Sequence, residues 1–206
     1  MNAIQRRRRA IMAMQFPYVF VEYIEGDANS WIDTGIVPTN TFGYKVDLSM
    51  SDVTSDRTAF GTREDSGNTR VTSGVNNSYP YFGWGSIAGQ NNTPKVSANT
   101  RYSVKCNYKN ERNTRVNGTK VNTSSLPTLS FTPTKSFPLL GRNFSSGFLG
   151  VPQKLYEAEI TSGSSVIRIF KPCYRISDGA IGLYDTIHGV FYGNSGSGTL
   201  TKGPDL

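Results

Sequence analysis

One strictly alternating segment constrains this chain more than any other feature. In Tyr44-Lys-Val-Asp-Leu-Ser-Met50 the large side chains Tyr44, Val46, Leu48 and Met50 fall on one side, and Lys45, Asp47 and Ser49 on the other. A period of two marks a β-strand with one buried and one wet face. No stretch after residue 16 sustains the 3.6-residue period of a helix. Short runs rich in β-branched and aromatic residues recur instead, among them Thr58–Thr62, Tyr79–Trp84, Tyr102–Tyr108, Lys154–Thr161, Val166–Lys171 and Val190–Tyr192. Gly, Asn and Ser clusters separate them. Asn117-Gly118 and Asp178-Gly179 predict two-residue hairpin turns, because these pairs accept positive φ at both turn positions. Leu126–Ser136, punctuated by Pro127 and Pro133, reads as a long crossover loop. The pattern predicts an all-β sandwich or barrel over residues 17–206.

The composition agrees. Aromatic residues make up 12% of the 206 positions, too many for a disordered chain. A chain of this length buries a core without help from disulfides. Cys106 and Cys173 are the only cysteines. Two thiols make neither a disulfide framework nor a four-thiolate zinc site. They read as buried thiols, with a bond between them as the alternative. No apolar stretch reaches the length of a membrane span.

Charge is concentrated at one end. The formal net charge is +7, and four of those charges are Arg6, Arg7, Arg8 and Arg9, which leaves +3 for the rest. Residues 1–16 are therefore expected to form a basic arm, helical or extended, that anchors the domain in an assembly. Four adjacent arginines bind nucleic acid only weakly and without sequence preference; specific recognition needs basic residues spread over a face. The apolar run Ala10–Met14 is too short for the core of a secretory signal. Work outside a cell then implies another route, such as release within a phage particle.

Two terminal segments carry a resemblance. Phe20-Val-Glu-Tyr-Ile-Glu25 with Trp31-Ile-Asp-Thr-Gly-Ile36, and Ile169-Phe-Lys-Pro-Cys-Tyr-Arg-Ile-Ser-Asp-Gly-Ala-Ile-Gly-Leu-Tyr-Asp185 with Gly189-Val-Phe-Tyr-Gly-Asn194, resemble the opening and close of a group of phage and gut-bacterial proteins. Phe60-Gly-Thr-Arg63 and Leu140-Gly-Arg-Asn143 look like that group's internal strands. The group resembles laminin-G-like and concanavalin A-like lectin sandwiches. The resemblance implies a two-sheet antiparallel jelly roll with sugar- or protein-binding duties, displayed on a virion as a tail-fibre part or capsid decoration, or on a bacterial surface. It also implies structural roles: Gly35 and Gly182 for close packing, Tyr184 and Phe191 as core fillers. Oligomers are common among fibre proteins, and neighbouring subunits are the expected partners of the arm.

Catalysis is not expected. A triad needs a histidine that relays protons, and the only one, His188 in Thr186-Ile-His-Gly189, reads as a turn residue. Gly193-Asn-Ser-Gly-Ser-Gly198 opens no helix and lacks the Lys-Ser/Thr pair of a phosphate loop. Lectin-like sandwiches also host glucanases, whose chemistry needs paired carboxylates. Glu157-Ala-Glu159 is the nearest pattern, with Thr161 where a third acid is wanted. Alternation places Glu157 and Glu159 together on a solvated face, and Tyr156, Ala158 and Ile160 in the core. Calcium is a cofactor option through Asp52, Asp56, Glu64 and Asp65, which lie in loops without a ligand-spacing motif.

Aromatic residues offer the best ligand site. Tyr79-Pro-Tyr-Phe-Gly-Trp-Gly85 puts Tyr79 and Tyr81 on one face and Trp84 on the other. An exposed Tyr or Trp could stack on a sugar ring, with Asn76, Asn77, Asn91 and Asn92 to hydrogen-bond its hydroxyls. The expectation is a non-catalytic glycan-binding or display domain. The alternatives are a purely structural virion component and a glycoside hydrolase.

Overall fold

A computed structural model describes residues 16–54, 56–64, 69–89, 94–122, 125–129, 131–144, 147–150 and 152–206. The arm residues Arg6, Arg7, Arg8 and Arg9, and Asp65, Asn91 and Asn92, lie outside them. Strands β1 (Tyr18–Phe20), β2 (Ile24–Gly26) and β3 (Ile32–Asp33) precede the long β4 (Phe42–Met50). A meander follows: β5 (Arg57–Arg63), β6 (Arg70–Asn76), β7 (Tyr79–Gly85) and β8 (Ile87–Gly89). Next come β9 (Tyr102–Cys106), β10 (Thr114–Val116), β11 (Thr119–Lys120), β12 (Pro138–Leu139), β13 (Gly141–Phe144) and β14 (Gly147–Gly150). The last five are β15 (Gln153–Ser162), β16 (Ser165–Arg175), β17 (Ile181–Asp185), β18 (Val190–Gly193) and β19 (Leu200–Lys202).

Two large sheets make a sandwich, and β3 and β12 form a separate antiparallel pair. The larger sheet runs β11-β10-β9-β4-β15-β16-β17-β18, with β1 beside β16 and β2 between β15 and β19. The smaller runs β14-β13-β5-β6-β7-β8. Pairing among the described strands is antiparallel except between β5 and β13, where Arg142 lies opposite Gly61 in a parallel register.

Alternation in β4 holds for Tyr44, Val46, Leu48 and Met50, which are buried, and for Lys45 and Asp47, which look outward; Ser49, expected on the wet face, is buried. Tyr44 meets Phe60 of β5 edge-on at 5.3 Å between ring centres, and Phe137 packs against Phe42, Tyr44 and Phe60 at 4.9, 5.3 and 5.8 Å. This four-ring cluster joins the two sheets. Cys106 and Cys173 are both buried free thiols, and burial pushes each up to about 12.

Several local expectations need correction. Asn117-Gly118 does make a two-residue turn, with φ of 48° and 82° and Val116 opposite Thr119. Asp178-Gly179 instead sits in a longer loop: Tyr174 pairs with Ile181, and the Gly179 and Arg175 amides donate to the Arg175 and Ala180 carbonyls. Asp178 is drawn into that loop by Arg175, whose guanidinium donates to it at 2.6 and 3.0 Å. β16 continues through Pro172, where the sequence suggests a stop at Lys171. Tyr184 and Phe191 are not core fillers; they stand on the outer face of the larger sheet with Tyr18, which stacks on Phe191 at 5.4 Å.

The two terminal segments fasten to each other. Asp27 accepts from the Asn29 and Thr199 amides and the Ser30 hydroxyl. The Ser195 amide donates to the Trp31 carbonyl, and a side chain at Gly196 would collide with the Trp31 ring. β19 pairs with β2, placing Leu200 opposite Gly26. Replacing Phe137 with Ala should cost about 3–5 kcal/mol, because it empties the centre of the inter-sheet cluster. Urea unfolding of Phe137→Ala should show that loss as a lower midpoint with an unchanged slope.

Candidate functional site

Of the side chains expected to hold a ligand, the five described ones, Tyr79, Tyr81, Trp84, Asn76 and Asn77, do not form one site. Trp84 is 1% exposed and sits in the core, its Nε1 donating to the Pro127 carbonyl at 2.8 Å. Pro80, Phe82 and Trp84 form the inward face of β7, so Trp84 has no surface to offer a sugar. Tyr79 is half-buried under Lys95, whose ammonium lies 5.2 Å from its ring centre. Asn77 is the first residue of the β6–β7 turn, and Asn76 pairs with Tyr79 across the strands. Tyr81 alone faces outward with neighbours of functional interest, its hydroxyl 2.6 Å from Thr58 Oγ1.

The carboxylates considered for calcium do not assemble either. Asp52 caps its own loop, accepting from the Thr54 amide and hydroxyl at 2.9 and 2.7 Å, and pairs with Arg57. Glu64 is spent on the Thr134–Lys135 loop, which donates four bonds to it. No group of three metal-ligating side chains occurs among the described residues. His188 lies in the β17–β18 turn, its Nδ1 2.8 Å from Asp185. Asp185 is fully buried and also meets Arg168 at 3.2 Å.

A different site arises where the larger sheet splits. β15 and β16 pair from the hairpin end, Ser162 with Ser165, back to Ala158 with Phe170, and part beyond it. β1 takes the place beside the end of β16, and β2 the place beside the start of β15. Two sequence features cause this. The Pro172 carbonyl accepts from the Val21 amide on the β1 side, so the donor that Pro172 lacks is the one that side would have used. On β15 the register slips at Tyr156, with Leu155 opposite Leu48 and Glu157 opposite Asp47. This bulge turns Tyr156 out of the core, contrary to simple alternation.

A cleft of about 660 Å³ opens over the fork. Tyr18, Phe20 and Glu22 line one wall at alternate positions, and Tyr156, Glu157 and Lys171 line the other. Arg101 closes one end: its guanidinium sits 4.5 Å from the Tyr156 ring centre and donates to Asp47 at 2.8 Å. The three aromatic rings are half-buried, which leaves apolar faces beside charged groups. Two acids and two bases balance the local charge.

Glu157 and Glu159 share the outer face, as alternation requires, but they are not free in water. Lys45 Nζ donates to Glu159 at 2.9 Å and lies 3.6 Å from Glu157, and Lys171 pairs with Glu157. The Tyr108 hydroxyl donates to Glu159 at 2.6 Å. Burial works to raise the Glu159 carboxyl, but Tyr108 and Lys45 outweigh it and hold it below the usual carboxylate range.

Comparison with known proteins establishes a fold and no family. No family model matches the chain, and no curated protein matches it with significance. It is similar to the solved structure of a "putative carbohydrate binding protein" from Bacteroides ovatus, with a TM-score of 0.58 and 14% identity. The match covers 91% of this chain and 62% of that one, so the chain spans less than two thirds of that protein. The class is thus an all-β sandwich.

The ionised state of Glu159 can be read from stability. Its folded pKa is depressed, so its contribution is present above the ordinary glutamate value of about 4.3 and is lost as pH falls through the folded value. Wild type should exceed Glu159→Gln in unfolding free energy at neutral pH. Urea titrations should show that difference shrinking steadily in acid.

Proposed function

We propose that the domain is a non-catalytic carbohydrate-binding module that takes a neutral sugar segment in the cleft at the strand fork. The observation that carries this reading is the lining: half-exposed Tyr18, Phe20 and Tyr156 beside Glu22, Glu157, Arg101 and Lys171. Apolar ring faces suit the C–H faces of a pyranose, and a few fixed charged groups suit its hydroxyls. The fold shared with the Bacteroides ovatus protein gives secondary support.

Binding is favoured over hydrolysis by the state of the carboxylates. A glycosidase acid must hold its proton near neutral pH and face its partner across the scissile bond. Glu159 is held ionised by Tyr108 and Lys45, and Glu157 is bridged to the same lysine and to Lys171. The proposed setting, a virion or cell surface with the arm docked in a neighbouring subunit, rests on the resemblance of the terminal motifs.

On a glycan array or by calorimetry, Phe20→Ala and Tyr156→Ala should each weaken the best neutral glycan about ten-fold, or ~1.4 kcal/mol. Their far-UV spectra should match wild type. A glycan-negative array, or unaltered affinity in both variants, would refute the cleft. Deletion of residues 1–15 should leave the unfolding transition unchanged while abolishing incorporation into particles.

A further inference from the structure

The opposite surface of the sandwich carries a second arrangement that the fork reading does not use. Register places the outward positions of the smaller sheet in rows. Thr58, Gly74 and Tyr81 make one row, and Arg142, Gly61, Thr72 and Gly83 the next. Arg63, Arg70 and Gly85 make the third. The middle row therefore has a floor of small residues between a hydroxyl-bearing wall and an arginine wall, with Arg142 at its end. The glycines let the long side chains lie flat. A methyl group on Gly83 would stand 2.6 Å from Arg70 Cδ, and one on Gly74 would stand 2.8 Å from the Tyr81 ring.

The charge here is net positive: three arginines share the patch, with the Asp56 carboxylate near Tyr81 and Arg142. Arg63 and Arg70 are direct cross-strand partners, a like-charge pairing that costs stability. Among the described residues, none of Arg63, Arg70 and Arg142 is ion-paired to a carboxylate. Arg142 donates only to the Thr58 hydroxyl, at 2.9 Å. The Nε groups of Arg70 and Arg142 are out of contact with water and have no acceptor. Burial, then the charge of Arg63, holds Arg70 below its ordinary pKa. Burial does the same at Arg142, with Tyr81 and Asp56 opposing and Arg63 adding to it. With Nε of Arg70 and Arg142 covered, the half-exposed ends of the three guanidinium groups stand beside a floor of small residues and are the complement of a planar or tetrahedral oxyanion.

We infer that this face binds the sulfate or carboxylate group of an acidic saccharide through Arg63, Arg70 and Arg142, with the Thr58 and Tyr81 hydroxyls beside it. The patch is compact: the Tyr81 ring lies against Gly74, and the Phe144 ring is covered by the Arg142 guanidinium at 3.6 Å. That suits a single anionic sugar better than a nucleic acid, which needs phosphates tracked along a face and rings free to stack on bases. The inference is independent of the fork cleft.

The test uses the whole chain. Low-millimolar sodium sulfate should raise the melting temperature above that in sodium chloride of equal ionic strength, by linkage to a native-state site. The difference should vanish in the double variant Arg70→Gln/Arg142→Gln, which separates a site from general salting-out. A sulfated and a uronic-acid oligosaccharide, each compared with its neutral parent, then identify the source of the oxyanion. At least one should bind ten-fold more tightly than its parent, and Arg70→Gln and Arg142→Gln should each remove that gain. Lys120→Gln, exposed on the edge strand of the larger sheet, should leave it intact. Equal melting temperatures in the two salts with wild type would overturn the inference. So would single-stranded DNA of matched charge binding as tightly as the acidic saccharides.

Discussion

Everything in this molecule depends on keeping two sheets face to face, and a cluster of four rings does that. Phe42 and Tyr44 come from the larger sheet, Phe60 from the smaller, and Phe137 from the crossover between them. Large aromatic side chains bury much area and lock one another in edge-on geometry. With the inner faces committed, both outer faces are left to water and to ligands. The fork cleft lies on one, and the arginine trough on the other.

The sequence was most legible where period and burial agree. The buried face of β4, Tyr44 to Met50, follows from its alternation, and Asn117-Gly118 names its own turn. Legibility failed where a local rule gave way to a neighbour. Asp178-Gly179 looks like a tight hairpin, but Arg175 draws Asp178 into a longer loop. Gly147–Gly150, with a glycine at each end, and the three-residue Ile87–Gly89 carry no strand pattern, yet they pair as the two edges of the smaller sheet. Tyr156 was assigned to the core by counting, and a one-residue bulge reversed it.

The candidate sites were less legible than the fold, for a related reason. The aromatic run Tyr79–Gly85 drew attention because it is dense in rings. In a sandwich every second ring is consumed by the core, and Trp84 is one of these. The residues that meet at the fork, Tyr18, Phe20, Arg101, Tyr156 and Lys171, lie in four separate stretches of sequence. One usable signal was Pro172 inside a strand-like run, since a proline there withholds a ladder donor. The arginine trough had a signal too: Gly61-Thr-Arg63 and Gly141-Arg142 repeat a small-then-basic pattern that the parallel β5–β13 pairing brings side by side.

The fastening of residues 27–31 by residues 194–200 has a consequence for how the protein is made. The Ser30 hydroxyl bonds to the Thr199 carbonyl across a separation of 169 residues, and Thr199 donates to Asp27 across 172. Contacts that distant carry the largest loop-closure cost and form late. On the ribosome, β2 emerges long before β19 exists to cover it. Its open edge must wait, exposed to pairing with another nascent chain. The shorter the interval between β2 and β19, the smaller that exposure.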